Sequence, residues 1–195
     1  MKNMKQIKLV CGIVVLLLIC GTNGYAQKVG VKTNLLYDAT TTANLGLEIG
    51  LARQWTLDLS GNYNGWTSSE TRKFKHWLIQ PEARYWFCQK FNGHFLGMHG
   101  HYSKFNIGGF KLPFGLYKGL RDNRYQGDLY GAGFSYGYHW ILGKRWGLEA
   151  TIGAGYARIN YDRIQCKTCG DKTGPHHKNY WGPTKAGISL IYLIK

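Results

Sequence analysis

Two stretches of this sequence gather side chains capable of chemistry. Cys166-Lys167-Thr168-Cys169 spaces two thiols closely, and His176 and His177 follow within a dozen residues. Two thiols and two imidazoles are suitable ligands for zinc. The same two cysteines close a disulfide in an oxidising compartment, and that is the leading reading in an exported chain. A redox-active pair lacks the βαβ surroundings it needs. The second stretch holds His94, His99, His101 and Ser103, the residue types of a hydrolase. No Gly-x-Ser-x-Gly elbow and no anchored acid accompany them. Glu48, Asp58, Glu82 and Glu149 are acid–base candidates. Lys32, Arg84 and Lys185 stand on strand faces of the same kind, so ion pairing explains these carboxylates without catalysis. No cofactor or metal is assigned, and no catalytic residue.

What positions these groups is β structure. The chain is rich in aromatics (14 Tyr, 7 Trp, 8 Phe) and glycine (27), and poor in proline (4). That mixture disfavours helix and disorder. Between Ala43 and Asn64 apolar and polar residues alternate on both sides of the link Ala52-Arg53-Gln54, which reads as a β-hairpin. Eight such segments follow one another: 29–37, the two arms of that hairpin, 76–87, 93–103, 128–140, 146–157 and 184–194. Pro81 lies on the apolar face of the fourth and predicts a local break in pairing. Links after the second, fourth and sixth segments are short. Those after the third, fifth and seventh are long, spanning 65–75, 104–127 and 158–182. Short turns on one rim and long loops on the other are the asymmetry of outer-membrane barrels. Arg53-Gln54-Trp55 and Lys144-Arg145-Trp146 form a partial repeat at the short rim, with Phe87, Phe91 and Trp140 in the same aromatic belt.

Two orientations are open to eight such strands. A soluble lipocalin-like carrier would turn the apolar face inward and expose the polar one. That polar face carries Gly46, Gly50, Gly97, Gly131, Gly133, Gly137, Gly153 and Gly155, and glycine exposed on a strand only weakens it. Inside a narrow barrel glycine makes room for larger partners. The expected fold is therefore an all-β, eight-stranded antiparallel up-and-down transmembrane barrel. Its interior is expected to hold a polar plug of Lys32, Glu48, Asp58, Glu82, Arg84, His99, His139, Glu149 and Lys185.

The first residues read as a secretory signal. Lys2, Lys5 and Lys8 precede the apolar run Leu9–Cys20, and Gly24-Tyr25-Ala26 offers a cleavage site. Cys20 invites a lipoprotein reading, which the bulky Ile19 before it disfavours. The domains are thus 1–26, signal, and 27–195, one barrel. Loss of three lysines lowers the formal charge from +15 to +12. The basic residues are scattered in an exported chain, which excludes nucleic acid as partner and fits anionic surfaces such as lipopolysaccharide. The long loop after the fifth segment interleaves Phe110, Phe114 and Tyr117 with Lys111, Lys118, Arg121 and Arg124. That is a surface able to meet a protein or glycan.

Lys32-Thr33-Asn34-Leu35-Leu36-Tyr37-Asp38, Asn44-Leu45-Gly46-Leu47-Glu48, Gln80-Pro81-Glu82-Ala83-Arg84-Tyr85-Trp86 and Gly182-Pro183-Thr184-Lys185-Ala186-Gly187 resemble a family of small exported Bacteroidetes proteins, domain of unknown function 3575. The resemblance covers the mature chain. It implies an outer-membrane β-barrel and supplies no activity; such proteins are associated with loci for surface fimbriae. The expectation is a non-enzymatic barrel in the bacterial outer membrane, both termini periplasmic. It would serve adhesion, envelope integrity or assembly of a surface structure. The alternatives are a lipid- or lipopolysaccharide-modifying enzyme and the soluble carrier.

Overall fold

The structure, a computed structural model, describes residues 29–65, 67–69, 72–108, 124–164 and 172–194. Its strands are β1 (Val29–Asn34), β2 (Ala43–Gly50), β3 (Trp55–Asn64), β4 (Thr67–Ser69), β5 (Arg72–Trp86), β6 (Gly93–Gly108), β7 (Arg124–Ile141), β8 (Trp146–Ile164) and β9 (Lys172–Ile194). One short helix, α1 (Leu35–Ala39), joins β1 to β2. Eight antiparallel up-and-down strands pair in sequence order and close into a ring of hydrogen bonds. β3 pairs β5 from Trp55↔Tyr85 to Asn64↔His76, and β1 pairs β9 from Val29↔Ile194 to Asn34↔Ser189. β4 hangs on β5 outside this ring.

The first strand is shorter than the alternation predicts. Asn34 ends it: its side chain caps α1 by accepting the Leu36 N–H at 3.1 Å. Asn44 then takes both backbone groups of Asn34, accepting its N–H at 2.5 Å and donating to its carbonyl at 3.1 Å. Side-chain bonds replace the ladder here. Elsewhere the strands overrun their expected ends. Much of the predicted long loops is strand: Lys104–Gly108 continues β6, Arg124–Gly127 opens β7, and β8 and β9 rise to Ile164 and Lys172. The β5–β6 ladder skips Gln80 and Pro81. This is the expected break, because proline has no N–H to give.

Burial runs opposite to that of a water-soluble domain. Leu45, Leu47, Leu57, Leu59, Met98, Phe134 and Ile152 lie exposed on the outer face. Glu48, Asp58, Glu82, Arg84, His99, His139 and Glu149 are buried within. Among the described residues the buried apolar side chains are Trp86, Phe91, Phe95, Ala157 and Ile191. Trp86 packs on Phe95 at 4.8 Å and on Phe91 at 5.9 Å between ring centres, a floor at the short-turn end. Phe91 thus leaves the outer belt where the sequence puts it. Its φ is positive, 62°, and its side chain is buried, while Phe87 and Trp140 stay exposed.

Candidate functional site

Strand alternation delivers the interior charges. Glu48 on β2, Asp58 on β3, Glu82 and Arg84 on β5, Glu149 on β8 and Lys185 on β9 all fall on inward positions. Lys32 on β1 joins them. Arg84 is the hub. Its Nε meets Glu82 Oε1 at 2.6 Å, Nη1 meets Glu48 and Glu149 at 2.9 Å each, and Nη2 meets Asp58 at 3.2 Å. Lys32 Nζ contacts Glu48 at 2.6 Å and Asp58 at 3.2 Å. Lys185 Nζ donates to Glu82 at 2.5 Å.

A guanidinium carries five donors in a planar fork, which lets one residue serve four carboxylates. Thr56 and Thr151 complete the acceptors. Thr56 Oγ1 donates to Glu48 at 2.5 Å and accepts from Trp86 Nε1 at 2.9 Å, tying the charges to the aromatic floor. Thr151 donates to Glu149 at 3.0 Å. Two glycines make the space. A Cβ at Gly46 would lie 2.5 Å from Lys32 Cγ, and one at Gly97 2.6 Å from Glu82 Oε1. The four carboxylates face three cations in these contacts, so with neutral imidazoles the cluster carries one surplus negative charge. Beside it lies a cavity of about 30 Å³, lined by Lys32, Asp58, Arg84, Glu149 and Lys185. That suffices for a water molecule. Tyr37 on α1 also reaches this cavity, and burial lifts its phenol above the ordinary value.

The histidines separate. His99 Nε2 shares a hydrogen bond with Thr184 Oγ1 at 2.9 Å, and its Nδ1 lies 3.9 Å from Glu82. His139 packs edge-on to Trp86 and Phe91, so it belongs to the floor more than to the charges. His101 stacks obliquely on His99 at 5.8 Å. Ser103 donates to the Trp77 carbonyl at 2.7 Å. His94 lies on the outer face, bonded to Tyr136 Oη at 2.6 Å. The four residues of the hydrolase reading therefore do not share one hydrogen-bonded site.

Above the cluster, on the rim away from the short turns, a cavity of about 410 Å³ is lined by residues that include Asn64, His76, Phe105, Gln126 and Asp128. Arg124 is strand there, and its Nε donates to Asn106 at 2.6 Å. His176 and His177 are exposed on β9, opposite Tyr161 and Asn160. Among the described residues no cluster of three or more His, Cys, Asp or Glu is arranged to hold a metal. Cys166, Cys169, Phe110, Lys111, Phe114, Tyr117, Lys118, Arg121 and residues 1–26, read from the sequence as a signal, lie outside the described residues. Sequence reasoning missed Thr56, Thr151 and Phe95. Thr56 and Thr151 share the polar-face parity of Asp58 and Glu149; Phe95 breaks the polar face of its strand, the signal that marks it as floor.

A family model described as a protein of unknown function (DUF3575) matches residues 12–194. No curated protein matches the chain. The match spans most of the sequence, and the chain belongs to this family.

Proposed function

We propose that this chain is a non-enzymatic β-barrel of the bacterial outer membrane that presents its longer connections at the cell surface. The role would be adhesion, envelope integrity or assembly of a surface structure, with both chain ends on the periplasmic side. The observation that carries the reading is the inversion of burial: apolar side chains exposed outside the ring, ion pairs buried within. Water would leave the outer face uncompensated, whereas lipid matches it.

The dimensions agree. On β8 the outer face runs from Trp146 to Tyr156, and on β7 from Trp140 to Tyr130. Each interval is about 33 Å of strand, which a tilt of roughly 40° reduces to about 25 Å, the height of an apolar band between aromatic girdles. A soluble carrier would need an apolar interior, and ion pairs occupy this one. Engagement of Ser103 and His99 in separate hydrogen bonds favours the non-enzymatic reading over lipid modification.

The test is a heat-modifiability gel on protein extracted in mild detergent from outer-membrane fractions. A mobility shift between unboiled and boiled samples is expected. Recovery from the soluble periplasm without a shift would overturn the proposal. Alanine at His99, His101 and Ser103 should leave the lipid A profile unchanged; an altered profile would favour the enzyme.

A further inference from the structure

Two turns at the short rim are built alike, residue for residue. One is Leu51-Ala52-Arg53-Gln54-Trp55, the other Leu142-Gly143-Lys144-Arg145-Trp146. In each, the first two N–H groups converge on the tryptophan carbonyl: Leu51 and Ala52 at 2.9 and 3.1 Å on Trp55, Leu142 and Gly143 at 3.0 and 3.2 Å on Trp146. The carbonyl before each tryptophan accepts an N–H from the neighbouring strand, Gln54 from Trp86 at 2.8 Å and Arg145 from Leu193 at 2.7 Å. Each tryptophan stands edge-on to a tyrosine directly across the ladder. Trp55 and Tyr85 are 5.3 Å apart at 60°, Trp146 and Tyr192 5.0 Å apart at 63°. Even the exposures match: Leu51 62% and Leu142 60%, both tryptophans 49%.

Turn geometry alone does not require these side chains, since tight turns accept most residues. What is duplicated is a display: a cation at the tip, an exposed leucine, and a Trp–Tyr pair where the strand begins. Among the described residues these cations make no ion pair. Arg53, Lys144 and Arg145 are exposed, and the links 51–54, 87–92 and 142–145 contain no Asp or Glu. Arg145 is steadied by a 3.0 Å bond to Tyr192 Oη, which also pushes its guanidinium pKa up. The opposite rim is mixed, with Asp128 and Asp162 among Lys104, Arg124 and Arg158.

Cation, amphipathic ring and aliphatic surface, in that order along the strand, mirror the phosphate, ester region and acyl chains of a lipid. A cation without an acidic neighbour selects a net negative headgroup. We propose that the twin turns are two seats for an anionic glycerophospholipid. The phosphate sits on Arg53 in one and on Lys144 and Arg145 in the other, and the acyl chains lie along the apolar strand faces beyond Trp55 and Trp146. This inference rests on the transmembrane reading above.

Native mass spectrometry of detergent-extracted protein, supplied with phosphatidylglycerol or with phosphatidylcholine, tests it. The wild type should retain up to two phosphatidylglycerol molecules, with a preference over phosphatidylcholine on the order of tenfold. Lys144→Gln/Arg145→Gln should lose one, and adding Arg53→Gln should lose both. Lys104→Gln/Arg158→Gln at the other rim should change nothing. The heat-shift gel monitors folding of each variant. Equal retention of the two lipids by a heat-shifting, membrane-extracted wild type would overturn the seats and leave the barrel standing. Loss of preference in the opposite-rim variant as large as in the turn variants would also overturn them. A soluble protein without a heat shift would end both readings.

Discussion

Arg84 and Glu149 meet at 2.9 Å although their strands, β5 and β8, are not neighbours in the ring. The contact crosses the interior and ties together two strands that share no ladder. Replacing Arg84 by Ala leaves four buried carboxylates with two lysines. Breaking a buried pair by removing one partner costs about 3–5 kcal/mol, and this residue serves four. Urea unfolding of the detergent-solubilised protein should show a loss of at least that size. Arg84→Lys keeps the charge without the fork and should recover only part of it.

Glycines at two sites should behave oppositely. At Gly97 an added Cβ would press on Glu82 Oε1 and on Ser135 Oγ. Gly97→Ala should cost about 1–3 kcal/mol through crowding. At Gly61 nothing lies within 4 Å of the same atom. Gly61→Ala should be neutral or stabilising by about 0.5 kcal/mol, because alanine loses less backbone entropy. Paired unfolding curves would separate steric from entropic roles of glycine.

The aromatic floor joins the ion-pair network through Phe95, whose ring lies 4.4 Å under the Arg84 guanidinium. Phe95→Ala should therefore destabilise by about 3–5 kcal/mol for the cavity, plus a smaller loss of cation–π contact. Phe95→Leu should recover most of the packing and none of the cation–π part. A double-mutant cycle with Arg84→Lys reads the coupling directly.

Cys88 gives a handle on sidedness. It is exposed in the link between β5 and β6. In a variant carrying Cys166→Ser and Cys169→Ser, a membrane-impermeant maleimide should leave intact cells unlabelled and react once the outer membrane is permeabilised. A cysteine placed at exposed Asn179 on the other rim should label in intact cells. The reverse pattern would overturn the proposed orientation.

The strand count and the inward set of charges were legible because alternation is a local property, and each of Lys32, Glu48, Asp58, Glu82, Arg84, Glu149 and Lys185 obeys it. The helix after Asn34 was not, because it depends on Asn44 reaching back across a turn. Strand ends were not legible either. Residues such as Asn106, Gln126 and Asn160 look like loop, yet they pair because their neighbours hold them in register. Phe91 was misplaced because it lies in a link whose backbone, with a positive φ at this residue, does not follow strand alternation.

β1 pairs with β9 over only Val29–Asn34, and this seam joins the two ends of the described chain. Every other ladder of the ring pairs strands that follow one another in the ring, whereas this one brings Val29–Asn34 to Ser189–Ile194. Without it the sheet would have two unpaired edges. Closure thus hangs on one six-residue ladder, and deleting Ser189–Ile194 should leave β1 unpaired on that side and the ring open.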